Sequence, residues 1–306
     1  MPSNTSLQLI KILKDPLSLD LKSRLEKVAE LKVNLLLYGE SGSGKDVWAG
    51  FTAACRSGSP FVVLHCGDVP ETLLESEWFG YRRGAFSGAD QDFSGRWAAA
   101  ENGTLYLNGI DLLSLNLQAK LLRIVEKSAY FPLGSARETR FNIRFIFSAA
   151  ADIEQKVSRE LFRADLFYRI STYSLLIPPL RERKADIEAL IEYFAARESV
   201  KLQLSPAAHK KLLQYNWPGN IREMENLVRR SSASTGILDE SQVDLLLDNP
   251  RKLLETATLQ DWPLKKIQRE YLSLLLKKHK NKSRVAAILG ISRKSLYNML
   301  KKNEPD

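Results

Sequence analysis

The chain has 306 residues, 44% hydrophobic and 26% charged, enough for about two domains with cores of their own. Its longest apolar runs, VNLLLY and YLSLLL, fall well short of the roughly 18 residues of a membrane span, and the N-terminus lacks the apolar stretch and cleavage site of a secretory signal, so the expected setting is the reducing cytoplasm with no membrane partner. The formal net charge of +9 resides in Trp262–Asp306, where twelve Lys/Arg face three Asp/Glu, leaving 33 of each sign elsewhere; such a tail points to a polyanion.

In chain order, residues 1–32 read as helix with polar interruptions. VNLLLYG at 33–39 is a short apolar run closing in glycine, hence a buried strand. GESGSGKD at 39–46 follows it and opens a helix. Its spacing of Gly39, four residues, Gly44 and Lys45 is that of a phosphate loop. Backbone N–H groups of Gly39, Glu40, Ser41, Gly42, Ser43 and Gly44 would cradle phosphate oxygens at a helix N-terminus, with Lys45 reaching the outer phosphates. Asp46 stands where a Ser or Thr hydroxyl is usual. ATP is the expected nucleotide, with Mg2+ as its companion. Cys55 and Cys66 have no CxxC spacing and read as small buried residues.

FVVLHC (61–66), GTLYLN (103–108), FNIRFIFSA (141–149) and YSLLIPPL (173–180) read as further buried strands, the last stopped by Pro178 and Pro179. Strands alternating with helical patterns predict an α/β fold with a parallel sheet covered on both faces. After Pro179 the strands are expected to cease. Residues 184–235 read as helices broken at NWPGN (216–220), and 236–262 as a connector. NKSRVAAILGISRKSLYNMLKKN (281–303) has a helix–turn–helix pattern, with Gly290 at the turn and Ser292 as N-cap. Its second helix presents Arg293, Lys294, Ser295, Tyr297 and Asn298 toward base edges. Lys282, Arg284, Lys301 and Lys302 suit phosphates.

With these pieces placed, the chain resembles the bacterial enhancer-binding activators of sigma-54 RNA polymerase, which carry an AAA+ ATPase domain. The resemblance covers about residues 5–303. ESEWFGYRRGAFSGAD (75–90) is similar to the family's sigma-contacting loop, implying a contact by Gly84, Ala85, Phe86, Ser87, Gly88 and Ala89; only Ser87 departs, from Thr. LFRADLFYRI (161–170) matches the arginine-finger segment, which implies that Arg163 and Arg169 reach a neighbouring subunit's phosphates. PPLRERKADI (178–187) and NWPGNIREMENLV (216–228) match the lid, with Arg222 in the nucleotide-sensing place. The tail resembles the Fis-type domain. The implied layout is an α/β core at 5–180, a helical lid at 181–236, a linker at 237–262 and a DNA-binding domain at 263–306. No counterpart of the family's N-terminal receiver or sensory domain is found, which implies control by expression or by a partner.

Against that pattern, GTLYLNGID is the strand that should end in Asp-Glu. It carries Asn108 and Gly109, a degenerate acid pair, with Asp111 too far past the strand end to substitute. His65 replaces an asparagine that restrains the catalytic glutamate, and reads as a packing residue. Ala149 and Ala150 replace a polar pair facing the γ-phosphate. The expected function is a sigma-54-dependent activator that binds upstream DNA and ATP but is impaired in hydrolysis, acting in a hexameric ring beside an active paralogue. Two alternatives stand: a homomeric, active AAA+ activator, and a DNA-binding regulator or repressor on a non-catalytic AAA+ scaffold. No dedicated metal cluster is expected.

Overall fold

The computed structural model describes residues 4–56, 58–67, 70–231, 237–238, 243, 262–278, 282–289, 291 and 295–296. The chain divides into two compact units, residues 1–199 with 213–228, and residues 200–212 with 229–306.

The first unit opens with helices α1 (Asn4–Ile12) and α2 (Pro16–Glu30). Asp15 starts α2 for two reasons: its carboxylate accepts the Leu17 N–H at 3.1 Å, and Pro16 supplies a preset φ where no amide donor is needed. Strand β1 (Leu35–Tyr38) leads through the glycine loop into α3 (Lys45–Ala54), and β2 (Phe61–His65) into α4 (Glu71–Phe79). The short helix α5 (Gly95–Ala98) precedes β3 (Thr104–Asn108). Then come α6 (Leu115–Lys127), capped by the Ser114 hydroxyl, and an antiparallel pair, β4 (Ala129–Tyr130) with β5 (Thr139–Arg140). Strand β6 (Arg144–Ala149), helices α7 (Ile153–Ser158) and α8 (Ala164–Ile170), strand β7 (Tyr173–Leu176) and helix α9 (Ala185–Arg197) follow.

The five parallel strands lie in the order β2-β3-β6-β1-β7. β1, β3 and β6 are central, and their interior side chains are buried as their apolar runs require. Alternation sends Leu105 and Leu107 of β3 into an aromatic-rich core with Trp78, Phe79, Trp97, Phe145 and Phe147. Thr104, Tyr106 and Asn108 take the opposite face. Register aligns the C-terminal ends: Asn108 pairs with His65 and with Ser148, and Tyr38 with Ala149 and Leu176. The functional residues therefore collect along one rim.

In the second unit, β8 (Gln203–Leu204) pairs in parallel with β9 (Ile237–Leu238). Helices α10 (Pro206–Gln214) and α11 (Asn220–Ser231) lie between them in sequence, each shared between the two units. Helices α12 (Leu264–Lys278) and α13 (Lys282–Ile288) follow, and Leu272, Leu275, Val285, Ala286 and Leu296 form a small core of their own.

Four expectations need correction. β2 is an edge strand whose Phe61, Val62 and Val63 are only half-buried, and β7 at the other edge leaves Ser174 and Leu176 exposed, since each has one neighbour instead of two. Strands do not cease after Pro179, because the two-residue pair β8–β9 lies beyond it. The β4–β5 pair was equally invisible, as two residues carry no periodicity. Cys55 is exposed at the C-cap of α3; only Cys66 is buried.

Candidate functional site

The loop between β1 and α3 wraps tightly. Gly42 and Gly44 have φ of +73° and +97°, left-handed values open to glycine, and a Cβ on Gly42 would sit 2.5 Å from the Gly219 carbonyl. The Lys45 ammonium donates to the Gly39 and Glu40 carbonyls at 2.8 and 3.0 Å, which holds it across the mouth of the loop. Burial lowers its pKa, and the charges of Asp46 and Asp111 push back. The Ser43 hydroxyl is buried without a hydrogen-bond partner, while the Ser43 carbonyl accepts from the buried Arg183.

The lid residues of this unit are stitched to the loop. The Arg222 guanidinium donates to the Ser41 hydroxyl at 2.9 Å, which puts Arg222 beside the phosphate loop. Asn220, at the start of α11 with φ +51°, was missed as a site residue. Its amide donates to the Ser41 carbonyl and to Glu40, and its carbonyl accepts the Leu180 N–H at 2.8 Å. Arg181 forms a two-armed pair with Glu40. The paired arginine draws the Glu40 carboxyl below its ordinary value.

At the rim, Asn108 stands where an acid was expected. Its carbonyl oxygen accepts from the Ser148 hydroxyl at 2.7 Å, and its amide nitrogen donates to Asp46 at 2.9 Å. The buried Tyr106, another unforeseen member, donates its hydroxyl to the same Asp46 oxygen at 2.7 Å. Burial pushes the Tyr106 phenol well above its ordinary value, and the Asp46 charge adds to this. Two residues before Asn108 on a strand, Tyr106 must share its face; an apolar reading of the strand hid it.

His65 is exposed, with Nδ1 3.1 Å from the Asn108 amide nitrogen, so it is not the packing residue anticipated. Gly109 follows with φ +76° and no side chain. Asp111 is buried, paired with Lys156 at 2.6 Å and accepting the Ala150 N–H. Ala149 and Ala150 bring no polar side chain. Among the described residues, no group of three or more His, Cys, Asp or Glu is placed to hold a metal.

Arg163 and Arg169 lie exposed at the two ends of α8. Arg163 is clasped by Asp165 through bonds of 3.0 and 2.7 Å. Gly84, Ala85, Phe86, Ser87, Gly88 and Ala89 form a turn closed by the Gly84 N–H on the Ala89 carbonyl at 2.9 Å. Gly84 and Gly88 take left-handed φ with open space around them, Ala89 is buried, and Ser87 is exposed. Phe86 is 46% exposed, its ring set edge-on to Tyr81 at 4.9 Å. The base is tied by a bridge between Tyr81 and Phe93 and by an ion pair of Arg82 with Asp92. In the tail, Lys282 and Arg284 of α13 and Ser295 are exposed. Gly290, Ser292, Arg293, Lys294, Tyr297, Asn298, Lys301 and Lys302 lie outside the described residues.

A glycine loop between strand and helix, a five-stranded parallel sheet and a helical lid define a P-loop nucleotide-binding protein of the AAA+ class. Residues 12–176 match the family model described as the Sigma-54 interaction domain. Residues 181–249 match an AAA+ ATPase lid domain, and 263–302 a bacterial regulatory protein domain of the Fis family. The chain belongs to the sigma-54 interaction domain family. It is 36% identical over 298 residues to the phenol regulator MopR of Acinetobacter guillouiae, covering 91% of this chain and 53% of MopR. It is 34% identical to the transcriptional regulatory protein GlrR of Escherichia coli K12, covering 96% of this chain and 68% of GlrR. The anaerobic nitric oxide reductase transcription regulator NorR of Salmonella paratyphi C is 41% identical over 223 residues, or 71% of this chain and 44% of NorR. The chain thus spans about half the length of MopR and NorR. A crystal structure of NtrX from Brucella abortus in complex with ADP superposes with a TM-score of 0.69 at 25% identity, over 95% of this chain and 68% of that one. Among the described residues, no helix is long and apolar enough to cross a membrane.

Proposed function

We propose that this chain is a sigma-54-dependent transcriptional activator that binds ATP but hydrolyses it poorly. In this reading the 263–306 domain holds DNA, the turn at 84–89 touches sigma-54, and the subunit works in a ring with an active paralogue. The single observation behind the hydrolytic defect is the end of β3. Asn108 and Gly109 offer no carboxylate where metal support and water orientation are needed, while the sequence retains Lys45, Arg222, Arg163 and Arg169.

The division of labour follows. The phosphate loop and Lys45 bind the triphosphate. Arg222 and the Arg181–Glu40 pair tie that loop to the lid. Gly109 cannot polarise an attacking water, and Ala149 and Ala150 cannot hold one. Loss of such positioned groups removes several orders of magnitude from phosphoryl transfer. A magnesium ion, when bound, would neutralise phosphate charge. One carboxylate beside the loop, Asp46, is compatible with magnesium, which keeps several waters and takes few protein ligands.

The test is a steady-state ATPase assay on the full chain, with and without DNA, beside equilibrium ATP binding. Measurable binding with turnover near background is the expected result. Robust turnover by the homogeneous protein would overturn the hydrolysis-impaired reading and favour the homomeric activator.

A further inference from the structure

The N-terminal ends of β1, β3 and β6 lie together at the edge of the sheet opposite the phosphate loop, since Leu35 pairs with Ile146 and Thr104 with Arg144. A pocket of about 120 Å³ opens there, with Lys32, Asn34, Arg56, Asn102, Asn142 and Arg144 in its wall. Three of its lining residues are cations and none is an acid. Glu101 flanks it, but its carboxylate accepts the Asn142 N–H at 3.2 Å. Arg144 is only 7% exposed. Its Nη1 and Nη2 donate to the Ala29 and Val28 carbonyls at 3.1 and 2.8 Å, and its Nε has no hydrogen-bond partner. Those carbonyls close α2, so the helix end offsets part of the charge. Burial, and after it the charge of Arg56, lowers the Arg144 pKa to about 10. Among the described residues, no carboxylate forms an ion pair with Lys32, Arg56 or Arg144, and the Arg56 guanidinium has no hydrogen-bond partner.

We propose that this pocket is an anion site for a phosphate group, in which Lys32, Arg56 and Arg144 supply the charge. A buried charge is normally paired, because its desolvation is otherwise uncompensated. Here the chain supplies two neutral carbonyls and a second cation, so the compensating charge comes from outside. An anion set among the three side chains offsets the repulsion between Arg56 and Arg144. The free guanidinium fork of Arg56 matches two phosphate oxygens. The cavity is smaller than the roughly 300–1,000 Å³ of pockets that enclose whole organic ligands, so it suits a compact group. A phosphate carries a charge of about −1.5 to −2 at pH 7, which three cations can hold. The site is separate from the nucleotide's, since the loop at 39–46 and Asn108 lie at the other ends of the same strands. It also touches the helix of the proposed fingers: the Asn34 amide donates to the Arg169 carbonyl at 3.1 Å, so an occupant bears on the C-terminal end of α8.

The experiment titrates inorganic phosphate into the full chain by calorimetry, at an ionic strength held constant with chloride. All variants carry Lys45→Ala, which removes the lysine of the phosphate loop and keeps that loop from supplying the signal. Phosphate should bind saturably, and Lys32→Ala/Arg56→Ala should weaken it at least about tenfold, since two charge-assisted contacts are lost. Arg56→Lys, which keeps the charge, should lose less than Arg56→Ala. Lys32→Glu, at an exposed position, gives an independent loss should the paired variant fold poorly. Ribose 5-phosphate run in parallel separates the sources of the group. Binding at least about threefold tighter than inorganic phosphate identifies a phosphomonoester of a larger ligand, and equal or weaker binding identifies the free ion. No saturable binding above chloride, or phosphate binding that the Lys32 and Arg56 variants leave unchanged, would overturn the site. Either result leaves the nucleotide-binding reading untouched, because the two sites share no residue.

Discussion

Arg181 holds Glu40 with two parallel hydrogen bonds, 2.7 and 2.9 Å long, and so ties the second residue of the phosphate loop to the segment that enters α9. Both side chains are about one-third exposed, so the pair contributes about 1 kcal/mol or less to stability. Its larger effect is on loop order. Glu40→Gln should weaken ATP several-fold while moving the melting temperature by only a few degrees. The sign with pH follows from the depressed Glu40 carboxyl. The clasp is complete above its ordinary value of 4.5 and is lost as pH falls through the lower folded-state value. Nucleotide titrations from pH 8 down to pH 4 should show no loss from this pair until the acid end.

Restoring a glutamate at 109 should not restore turnover. Gly109 sits at φ +76°, and a Cβ there would approach the Leu112 side chain at 3.1 Å. A non-glycine residue at such a φ costs about 1 kcal/mol or more. Gly109→Glu should lower thermal stability and leave ATPase near background; turnover rising by orders of magnitude would show that the strand end alone had been limiting.

Tyr106→Phe removes a buried donor from Asp46 and a neighbour from Ser148. A loss of about 1 kcal/mol in denaturant unfolding is expected, because the buried Ser148 keeps its bond to Asn108 and the exposed Asp46 can turn to water. ADP affinity in Mg2+ should fall with it.

DNA binding should be steep in salt. Each phosphate contact removed should flatten the log–log slope by about 0.9. Arg284→Ala and Lys282→Ala should each do so and weaken all sequences alike. Gel-shift titrations across a salt series read this directly, and an unchanged slope would remove these residues from the interface.

Mixing with an active paralogue tests the fingers. Addition of this chain should raise the paralogue's ATPase rate, and Arg163→Ala/Arg169→Ala should abolish the gain while leaving DNA binding unchanged. Asp165→Ala, which frees Arg163 from its present partner, should retain or increase the gain.

The central sheet was legible because β1, β3 and β6 are uninterrupted apolar runs, which only a doubly covered sheet accommodates. The phosphate loop was legible because its glycines and lysine lie within eight consecutive residues. The rest is a matter of distance along the chain. Asp46 and Asn108 are 62 positions apart, and Glu40 and Asn220 are 180 apart; no local pattern announces such contacts. Each was noticed as a departure or as part of a motif, but their pairing depends on strand register. Tyr106 was concealed by its own hydrophobicity, since an aromatic ring in a buried strand reads as core until its hydroxyl finds an acid. His65 went astray because a strand end was taken as interior, whereas β2 runs along the sheet's margin.

Phe86 leans on Tyr81, so the tip of its turn is half sheathed rather than displayed. A bare aromatic on a stalk adheres indiscriminately, and several such tips side by side would make the molecule sticky. On the proposed reading of this turn, a partner that buries the whole Phe86 ring draws it away from Tyr81, and release returns it there. On that reading the same small ring-on-ring contact weakens the tip's grip and favours its clean release.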